Sequence, residues 1–225
     1  PYLGKRVFDV VVGLALSVVT LPIVLVLSAI SAVKFRCSPY FVQERVGLNG
    51  TLFRCIKIRS LPKTTPACLD TVALNDHGHP TGWARFLRRF HLDELPQFWH
   101  VVGGSMSLVG PRPMIESIID GMPDEIAEVR HSVKPGITGP WQVSVDGAHS
   151  LLDCMDYDEA YVRRAGFGLD LKLLVLTAVQ TIGLPKRGRD QVFAMMSEAP
   201  APALATEGGA FAPHDYDLID VPDAS

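Results

Sequence analysis

The chain opens on a long apolar run, VFDVVVGLALSVVTLPIVLVLSAISAV (residues 7–33), which decides how the rest of the fold is placed. Asp9 is its only charged residue. About 20 apolar residues are enough for a helix to cross the hydrocarbon core of a bilayer. The sequence therefore predicts a membrane helix at the N-terminus.

Two features of this run favour a re-entrant helix, kinked at Pro22, over a simple span. Proline in the middle of a helix removes a backbone hydrogen bond and bends it. Basic residues flank both ends, Lys5 and Arg6 before and Lys34 and Arg36 after, and such flanks prefer the cytoplasmic side. We expect both flanks on one side of the membrane; on length alone, a single spanning helix is the alternative.

Composition excludes several classes of protein. The 225 residues are 48% hydrophobic and 20% charged, which excludes a coiled coil, a collagen-like chain and a wholly disordered chain. The 21 basic residues all lie at or before Arg189, whereas seven acidic residues follow it. This basic body favours phosphates or a lipid surface as partners, and its charge is too small to argue for nucleic acid. The four cysteines form no CxxC pair, which is typical of packed thiols in a reducing compartment.

The remaining pattern predicts a mostly helical α+β fold with a small β-hairpin. Alternating residues around Asn49 and Gly50 predict the hairpin over residues 41–60, and a polar loop follows over 62–82. Helices are predicted over residues 83–90, 92–102, 115–131 with a break at 121–123, 151–164 and 170–184. We divide the chain into a membrane anchor (1–36), a catalytic domain (37–192) and a disordered acidic tail (193–225).

The adjacent carboxylates Asp93 and Glu94 are the strongest candidates for chemistry. Asp93 precedes the predicted helix, whose N-terminus would favour the ionised carboxylate and attract phosphate. Arg88 lies one turn upstream. Carboxylates beside guanidinium groups suit phosphoryl transfer. An N-capping aspartate with a surface ion pair is the alternative.

Other basic residues are candidates for phosphate binding. Lys57 and Arg59, two residues apart on a predicted strand, should share a face. Gly110-Pro111-Arg112-Pro113 is a rigid turn that presents one arginine, which suits a diphosphate. The loop at residues 135–140 could approach a ligand through its backbone, and the basic run at residues 186–189 suits anionic headgroups.

Read in order, these fragments resemble the bacterial sugar transferase family, the monotopic polyprenyl-phosphate phosphoglycosyl transferases. The resemblance covers residues 5 to about 185, and the acidic tail lies outside it. The matching pieces are KRVFD (5–9), QERVGLNG (43–50), IKIRS (56–60), FLRR (86–89), LDELPQ (92–97), MSLVGPRP (106–113), VKPGITG (133–139), WQV (141–143), Asp158 with Tyr161, and LDLK (169–172).

The resemblance implies a two-step reaction. Asp93 attacks the β-phosphate of a nucleoside diphosphate sugar, UMP leaves, and a membrane polyprenyl phosphate then takes the phosphosugar from the aspartate. It also implies Mg²⁺, held by Asp93 and Glu94, at a site surrounded by amphipathic interfacial helices. The residues that match family positions lining the substrate site are Lys57, Arg59, Arg88, Arg112, Gln142 and Asp158.

The chain departs from the family pattern at three places. Asp146 stands where the family has an arginine after the WQV segment, His79 replaces another arginine, and His-Val-Val at residues 100–102 replaces Asn-Val-Leu. The first two losses leave a rival interpretation open, a membrane-anchored, non-catalytic homologue acting as an assembly partner.

The enzyme interpretation places the chain at the cytoplasmic face of a bacterial inner membrane. There it would begin a glycan, such as an exopolysaccharide, an O-antigen or a glycoconjugate, with a UDP-sugar as donor and undecaprenyl phosphate as acceptor. A homodimer is compatible with the sequence, which leaves the oligomeric state, the sugar and the pathway open.

Overall fold

The computed structural model describes residues 2–65, 82–148 and 155–197. Three segments lie outside the described residues. They are residues 66–81, which belong to the loop predicted over 62–82 and include His79, residues 149–154, which include the start of the helix predicted over 151–164, and the tail from residue 198. The strands are Tyr40–Val46 (β1), Leu52–Ile58 (β2), Ser107–Val109 (β3) and Gly136–Thr138 (β4). The α-helices are Lys5–Phe35 (α1), Gly82–Arg89 (α2), Phe98–Gly103 (α3), Glu116–Ile119 (α4), Asp124–His131 (α5), Pro140–Val143 (α6), Met155–Arg164 (α7), Phe167–Thr181 (α8) and Arg189–Ser197 (α9).

The mostly helical α+β fold is confirmed, and so is the predicted hairpin. Strands β1 and β2 pair antiparallel, with Tyr40 opposite Ile58 and Val46 opposite Leu52. Asn49 and Gly50 both take positive φ, 53° and 73°, as a tight turn between antiparallel strands requires.

A second, parallel pairing joins β3 to β4 and was not predicted. Ser107 lies opposite Gly136, and Val109 opposite Thr138. Residues 135–140 are therefore not only a loop, because their central three residues form a strand. The pairing brings the GPRP turn at residues 110–113 against the PGITG segment.

The predicted helix at residues 92–102 is divided in two. Residues Leu92–Gln97 form a 3₁₀ helix, and α3 continues from Phe98 to Gly103. Gly104 then ends the helix with φ of 91°, the left-handed conformation that glycine adopts without strain.

Helix α1 is one continuous helix that contains Pro22. Its buried residues run the length of one face, from Asp9 through Gly13 to Ser31. A Cβ added to Gly13 would lie 3.0 Å from Val101 Cγ1, so glycine lets α1 approach α3 closely. The structure does not establish a kink at Pro22, and the re-entrant arrangement stays a prediction.

The N-terminal end of α1 is fixed to the body by a buried polar network. Lys5 Nζ lies 2.6 Å from Asp170 Oδ2 on α8 and 3.3 Å from Asp9 Oδ1. Asp9 in turn accepts hydrogen bonds from Ser107 Oγ (2.8 Å) and from the backbone N–H of Leu108 (3.2 Å). The single charge in the apolar run is thus a structural partner of β3.

The C-terminal end of α1 contacts the same body. Ser31 Oγ donates to the carbonyl of Arg59 at 2.7 Å, and Val24 and Leu27 pack with Ile58 and Leu87. Both ends of one 31-residue helix are therefore attached to one folded unit.

The opposite face of α1 is apolar and exposed. The helix has a mean hydropathy of 2.8 over its most apolar 18 residues and is long enough to cross a membrane by length and composition. Such an apolar surface is typical of membrane association. The large exposed apolar residues on this face include Val7, Val11, Leu14, Val18, Val19, Ile23, Val26, Ile30 and Val33.

The main core lies between β3, α6, α7 and α8. Its fully buried side chains include Met106, Leu108, Tyr157 and Leu173. Helix α9 adds Val192 and Met196 to this core. The predicted domain boundary at residue 192 therefore falls inside a packed helix that extends to Ser197.

Candidate active site

Asp93 and Glu94 lie together on the 3₁₀ helix Leu92–Gln97, which packs against β2. Only 9% of Asp93 is exposed. The short helix begins after His91, whose positive φ of 52° turns the chain out of α2. This turn thus places Asp93 in a buried position and Glu94 in a partly buried one.

Glu94 is surrounded by positive charge. Its Oε1 accepts a hydrogen bond from Lys57 Nζ at 2.6 Å, and Arg112 Nη2 lies 3.8 Å from the same oxygen. Burial opposes ionisation, but the charges of Lys57 and Arg112 outweigh it and hold the pKa of Glu94 well below its usual range. Glu94 is therefore a carboxylate at neutral pH.

Asp93 behaves in the opposite way. Burial raises its pKa, and the negative charge of Glu94 raises it further, against the lowering effect of Lys57 and Arg88. The expected contribution of the backbone at the helix start does lower the pKa of Asp93, but burial outweighs it. Adjacent carboxyl groups with opposite shifts are a recurrent property of acid–base and nucleophilic sites.

A small polar pocket lies beside Asp93 and Glu94, which we call the dyad. Glu94 and Gln97 reach it from the 3₁₀ helix, and Lys57 reaches it from β2. Three basic residues, Arg45, Lys57 and Arg112, line the pocket and suit a phosphate-bearing ligand. The lining residues are Arg45, Cys55, Lys57, Glu94, Gln97, Arg112, Pro113, Gly136 and Ile137.

Arg112 is positioned through its backbone. Its carbonyl accepts a hydrogen bond from Arg130 Nη2 at 2.7 Å. Arg130 is buried and pairs with Asp158 at 3.2 Å. The predicted substrate residue Asp158 thus contacts Arg130, behind the turn that presents Arg112.

Two glycines bring the same turn close to β4. A Cβ on Gly136 would clash with the backbone N and O of Gly110, and a Cβ on Gly110 would clash with the carbonyl of Lys134. The expectation that this loop lets a ligand approach is therefore corrected at Gly136, because the close neighbour is protein backbone.

The structure brings together five of the predicted site residues: Lys57, Arg88, Asp93, Glu94 and Arg112. Arg59 lies just past the end of β2, and its guanidinium binds the carbonyls of Ser38 (2.9 Å) and Tyr40 (3.0 Å). The expectation that Lys57 and Arg59 share one binding face is therefore not met. Gln142 lies on α6, with its amide nitrogen buried and unpartnered in the described part of the chain.

Asp146, where the resemblance leads us to expect an arginine, makes contacts with the C-terminal region. Its Oδ2 accepts a hydrogen bond from Tyr157 at 2.7 Å and lies 3.5 Å from Arg189 Nη1. Arg189 also pairs with Asp156. The prediction that residues 186–189 bind anionic headgroups does not describe Arg189, whose partners are these two aspartates.

Sequence reasoning missed several residues around the pocket. Arg45, Cys55 and Gln97 lie within matched motifs or next to them, so membership of those motifs was the available signal. Cys55 is a buried free thiol, and burial raises its pKa. A neutral thiol suits a lining role, as the prediction of packed cysteines requires.

Asp93 and Glu94 suit Mg²⁺ only if the phosphates of a substrate complete its coordination. Within residues 2–65, 82–148 and 155–197, no cluster of three or more His, Cys, Asp or Glu side chains could hold a metal. Mg²⁺ is commonly bound by one or two carboxylates plus substrate phosphates. Asp93 and Glu94 match that smaller donor set.

Comparison with known proteins identifies the family. The family model described as bacterial sugar transferase matches residues 2–183. The chain therefore belongs to the bacterial sugar transferase family. The match covers α1, the hairpin, the dyad and α8, and stops before α9.

Several relatives carry names. The chain is 36% identical over 173 residues to the uncharacterized sugar transferase EpsL of Bacillus subtilis, with 77% of this chain and 84% of that protein covered. It is 33% identical over 185 residues to the UDP-glucose:undecaprenyl-phosphate glucose-1-phosphate transferase of Klebsiella pneumoniae, with 77% and 39% covered. It is 33% identical over 188 residues to the UDP-galactose-lipid carrier transferase of Erwinia amylovora, with 77% of this chain and 39% of that protein covered. The chain thus spans about two fifths of the length of the last two.

Proposed function

We propose that this chain is a phosphoglycosyl transferase that moves a sugar-1-phosphate from a UDP-sugar to undecaprenyl phosphate. The observation that carries the proposal is the Asp93–Glu94 dyad, in which Lys57 and Arg112 hold one carboxylate ionised beside a small basic pocket. The relatives named as UDP-glucose and UDP-galactose transferases support this donor and acceptor class.

Asp93 is the proposed nucleophile. Its carboxylate oxygen attacks the β-phosphorus of the donor, the bond from that phosphorus to the bridging oxygen breaks, and UMP leaves with the electron pair. A phosphate oxygen of the lipid acceptor then attacks the same phosphorus and releases Asp93. Covalent catalysis divides one transfer into two in-line displacements. A raised pKa makes the ionised Asp93 carboxylate more basic, and hence a better nucleophile, than an ordinary one.

Lys57 and Arg112 are proposed to bind the phosphates, and Glu94 to hold these two cations in place. Positive charge placed before the reaction stabilises the charge that develops on the phosphoryl oxygens. Mg²⁺ would be held by Asp93 and Glu94 with the donor diphosphate, and it would neutralise phosphate charge there.

The attachment of α1 supports a monotopic arrangement. A straight 31-residue helix is about 46 Å long and would place its ends on opposite sides of a bilayer. Here Lys5 contacts Asp170 and Ser31 contacts Arg59, all within one body. We propose that α1 enters and leaves one leaflet of the bacterial inner membrane, with the pocket on the cytoplasmic side.

The test is UMP release from a panel of UDP-sugars by detergent-purified protein, with Mg²⁺ and undecaprenyl phosphate. We expect release with at least one donor, and a loss of at least about 10³-fold in Asp93→Asn, because the nucleophile is removed. Asp120→Asn, which changes an exposed aspartate after α4, is the matched control and should retain activity.

The rival function, a non-catalytic assembly partner, predicts a different result. Folded native protein would then release no UMP with any donor of the panel. That result would reject the transferase proposal. Release that persists in Asp93→Asn would instead reject Asp93 as the nucleophile.

A further inference from the structure

Residues 186–189 fold back along the segment that follows the WQV motif. The N–H of Val145 donates to the carbonyl of Arg187 at 2.9 Å, and the N–H of Arg187 donates to the carbonyl of Val143 at 3.0 Å. These bonds form a parallel bridge between Ser144 and Arg187. The segment is thus held in a fixed position beside α6.

The fold-back brings Lys186 next to Asp146, the position at which the family resemblance leads us to expect an arginine. A Cβ added to Gly147 would lie 2.9 Å from Lys186 Nζ, so the ammonium group lies against residue 147, next to Asp146. Asp146 itself is engaged with Tyr157 and Arg189. The carboxylate of Asp146 is therefore already paired, and the ammonium group of Lys186 lies next to it.

Lys186 and Arg112 both lie beside Trp141, and Arg112 also lines the pocket of the dyad. The Cβ position of Gly147 is 2.8 Å from the Trp141 carbonyl and 2.9 Å from Lys186 Nζ, and Arg112 lies over the Trp141 ring. Lys186 is an exposed residue, but partial burial of its ammonium and the nearby guanidinium of Arg112 both lower its pKa. Among the described residues, Lys186 has no carboxylate within ion-pair distance, and the only one near Arg112 is Glu94 at 3.8 Å. Two neighbouring cations with so little compensating charge form a site that attracts an anion.

Helix α6, beside these cations, contains two unsatisfied donors. Trp141 Nε1 and Gln142 Nε2 are buried and have no hydrogen-bond partner in the described structure. The guanidinium of Arg112 lies 5.9 Å from the centre of the Trp141 ring. Buried donors without acceptors cost free energy, and a ligand rich in acceptor oxygens would satisfy them.

We propose that Lys186 binds the diphosphate of the nucleotide sugar together with Arg112, and so supplies the positive charge that this chain lacks at position 146. The proposal deepens the transferase function above and rests on it. It assigns substrate binding to a residue outside the span that matches the family model. The bridge between residues 144 and 187 holds Lys186 in place.

The test measures binding of UDP by calorimetry, in detergent with Mg²⁺, to the full chain. We expect Lys186→Met to weaken UDP binding about 10-fold or more, since one charge-assisted contact to phosphate is lost. Lys186→Arg should bind UDP within a few-fold of the native protein. Uridine, which has no phosphate, should bind both the native and the Met forms equally.

Arg187→Met is the matched control, because neighbouring residues of an extended segment point to opposite sides. It removes the same charge one residue away and should leave UDP affinity within about 2-fold. Equal weakening by both variants would overturn the proposal in favour of general attraction. A lower Tm of Lys186→Met with unchanged UDP affinity would overturn it in favour of a purely structural lysine.

The failure of this proposal is distinguishable from failure of the function itself. Native protein that neither binds UDP nor releases UMP rejects the transferase. If the native protein binds UDP and releases UMP, and Lys186→Met does so equally well, the role of Lys186 is rejected and the transferase function stands.

Discussion

At the scale of single residues, the different surroundings of Asp93 and Glu94 give the two carboxyl groups different pKa values. Asp93 and Glu94 are chemically similar neighbours, yet their pKa values shift in opposite directions. Lys57, 2.6 Å from Glu94, helps to lower the pKa of Glu94, whereas burial raises the pKa of Asp93. The ionised Glu94 adds to that rise in Asp93 by repulsion. A pair of this kind gives one permanent charge and one carboxyl that titrates closer to neutral pH.

This coupling makes the pH dependence of the first step testable. The nucleophile works as a carboxylate, so the rate of UMP release should fall as pH falls through the pKa of Asp93. In Glu94→Gln the repulsion is lost and Lys57 and Arg112 lose their anion, so the pKa of Asp93 should drop. We expect the acidic limb of the single-turnover pH profile to move to lower pH, whatever the loss in rate.

The control for this shift is Glu159→Gln, which removes a partly exposed carboxylate on α7 that pairs with Arg163. Its acidic limb should coincide with that of the native protein. An acidic limb that stays in place in Glu94→Gln, or moves to higher pH, contradicts the assignment of that limb to Asp93.

At the scale of elements, the β3–β4 pairing shows what the sequence could and could not reveal. The antiparallel hairpin was predictable because alternation and an Asn-Gly turn are local signals. The strands Ser107–Val109 and Gly136–Thr138 have three residues each and pair across a long separation. Nothing local distinguishes such short strands from a loop.

The same pairing predicts the effect of a small substitution. Gly136→Ala places a methyl group against the backbone of Gly110, so the strands must separate and the turn carrying Arg112 must move. We expect a loss of about 3 kcal/mol in the free energy of unfolding, or roughly 6 to 12 °C in Tm, and slower UMP release.

Gly168→Ala is the matched control for this change. Gly168 lies in α8, and a Cβ there meets no atom within 4 Å. Because alanine has the higher helix propensity, Tm should stay the same or rise slightly. An unchanged Tm in Gly136→Ala would show that the strands are not held as closely as described.

At the scale of the whole molecule, the sequence predicted the parts of the site better than their connections. Lys57, Arg88 and Arg112 were identified from motifs and do lie around the pair of Asp93 and Glu94. The second role of α1 was not predicted, because a lone charge in an apolar run does not reveal its partner. Only the folded chain shows Asp9 bound to Ser107 and Lys5 bound to Asp170.

That attachment makes the membrane topology of the whole chain testable. Single cysteines at the exposed positions Leu3 and Lys63, in a chain whose four native cysteines are changed to serine, flank α1 on both sides. If α1 re-enters, both should resist an impermeant maleimide in intact cells and react in inverted vesicles. The contacts of Lys5 and Ser31 with one body are the reason for this expectation, since a helix that crossed the bilayer would pull one end away from that body. Labelling of residue 3 from outside the cell would mean that α1 spans the membrane and that its N-terminal contacts with α8 break there.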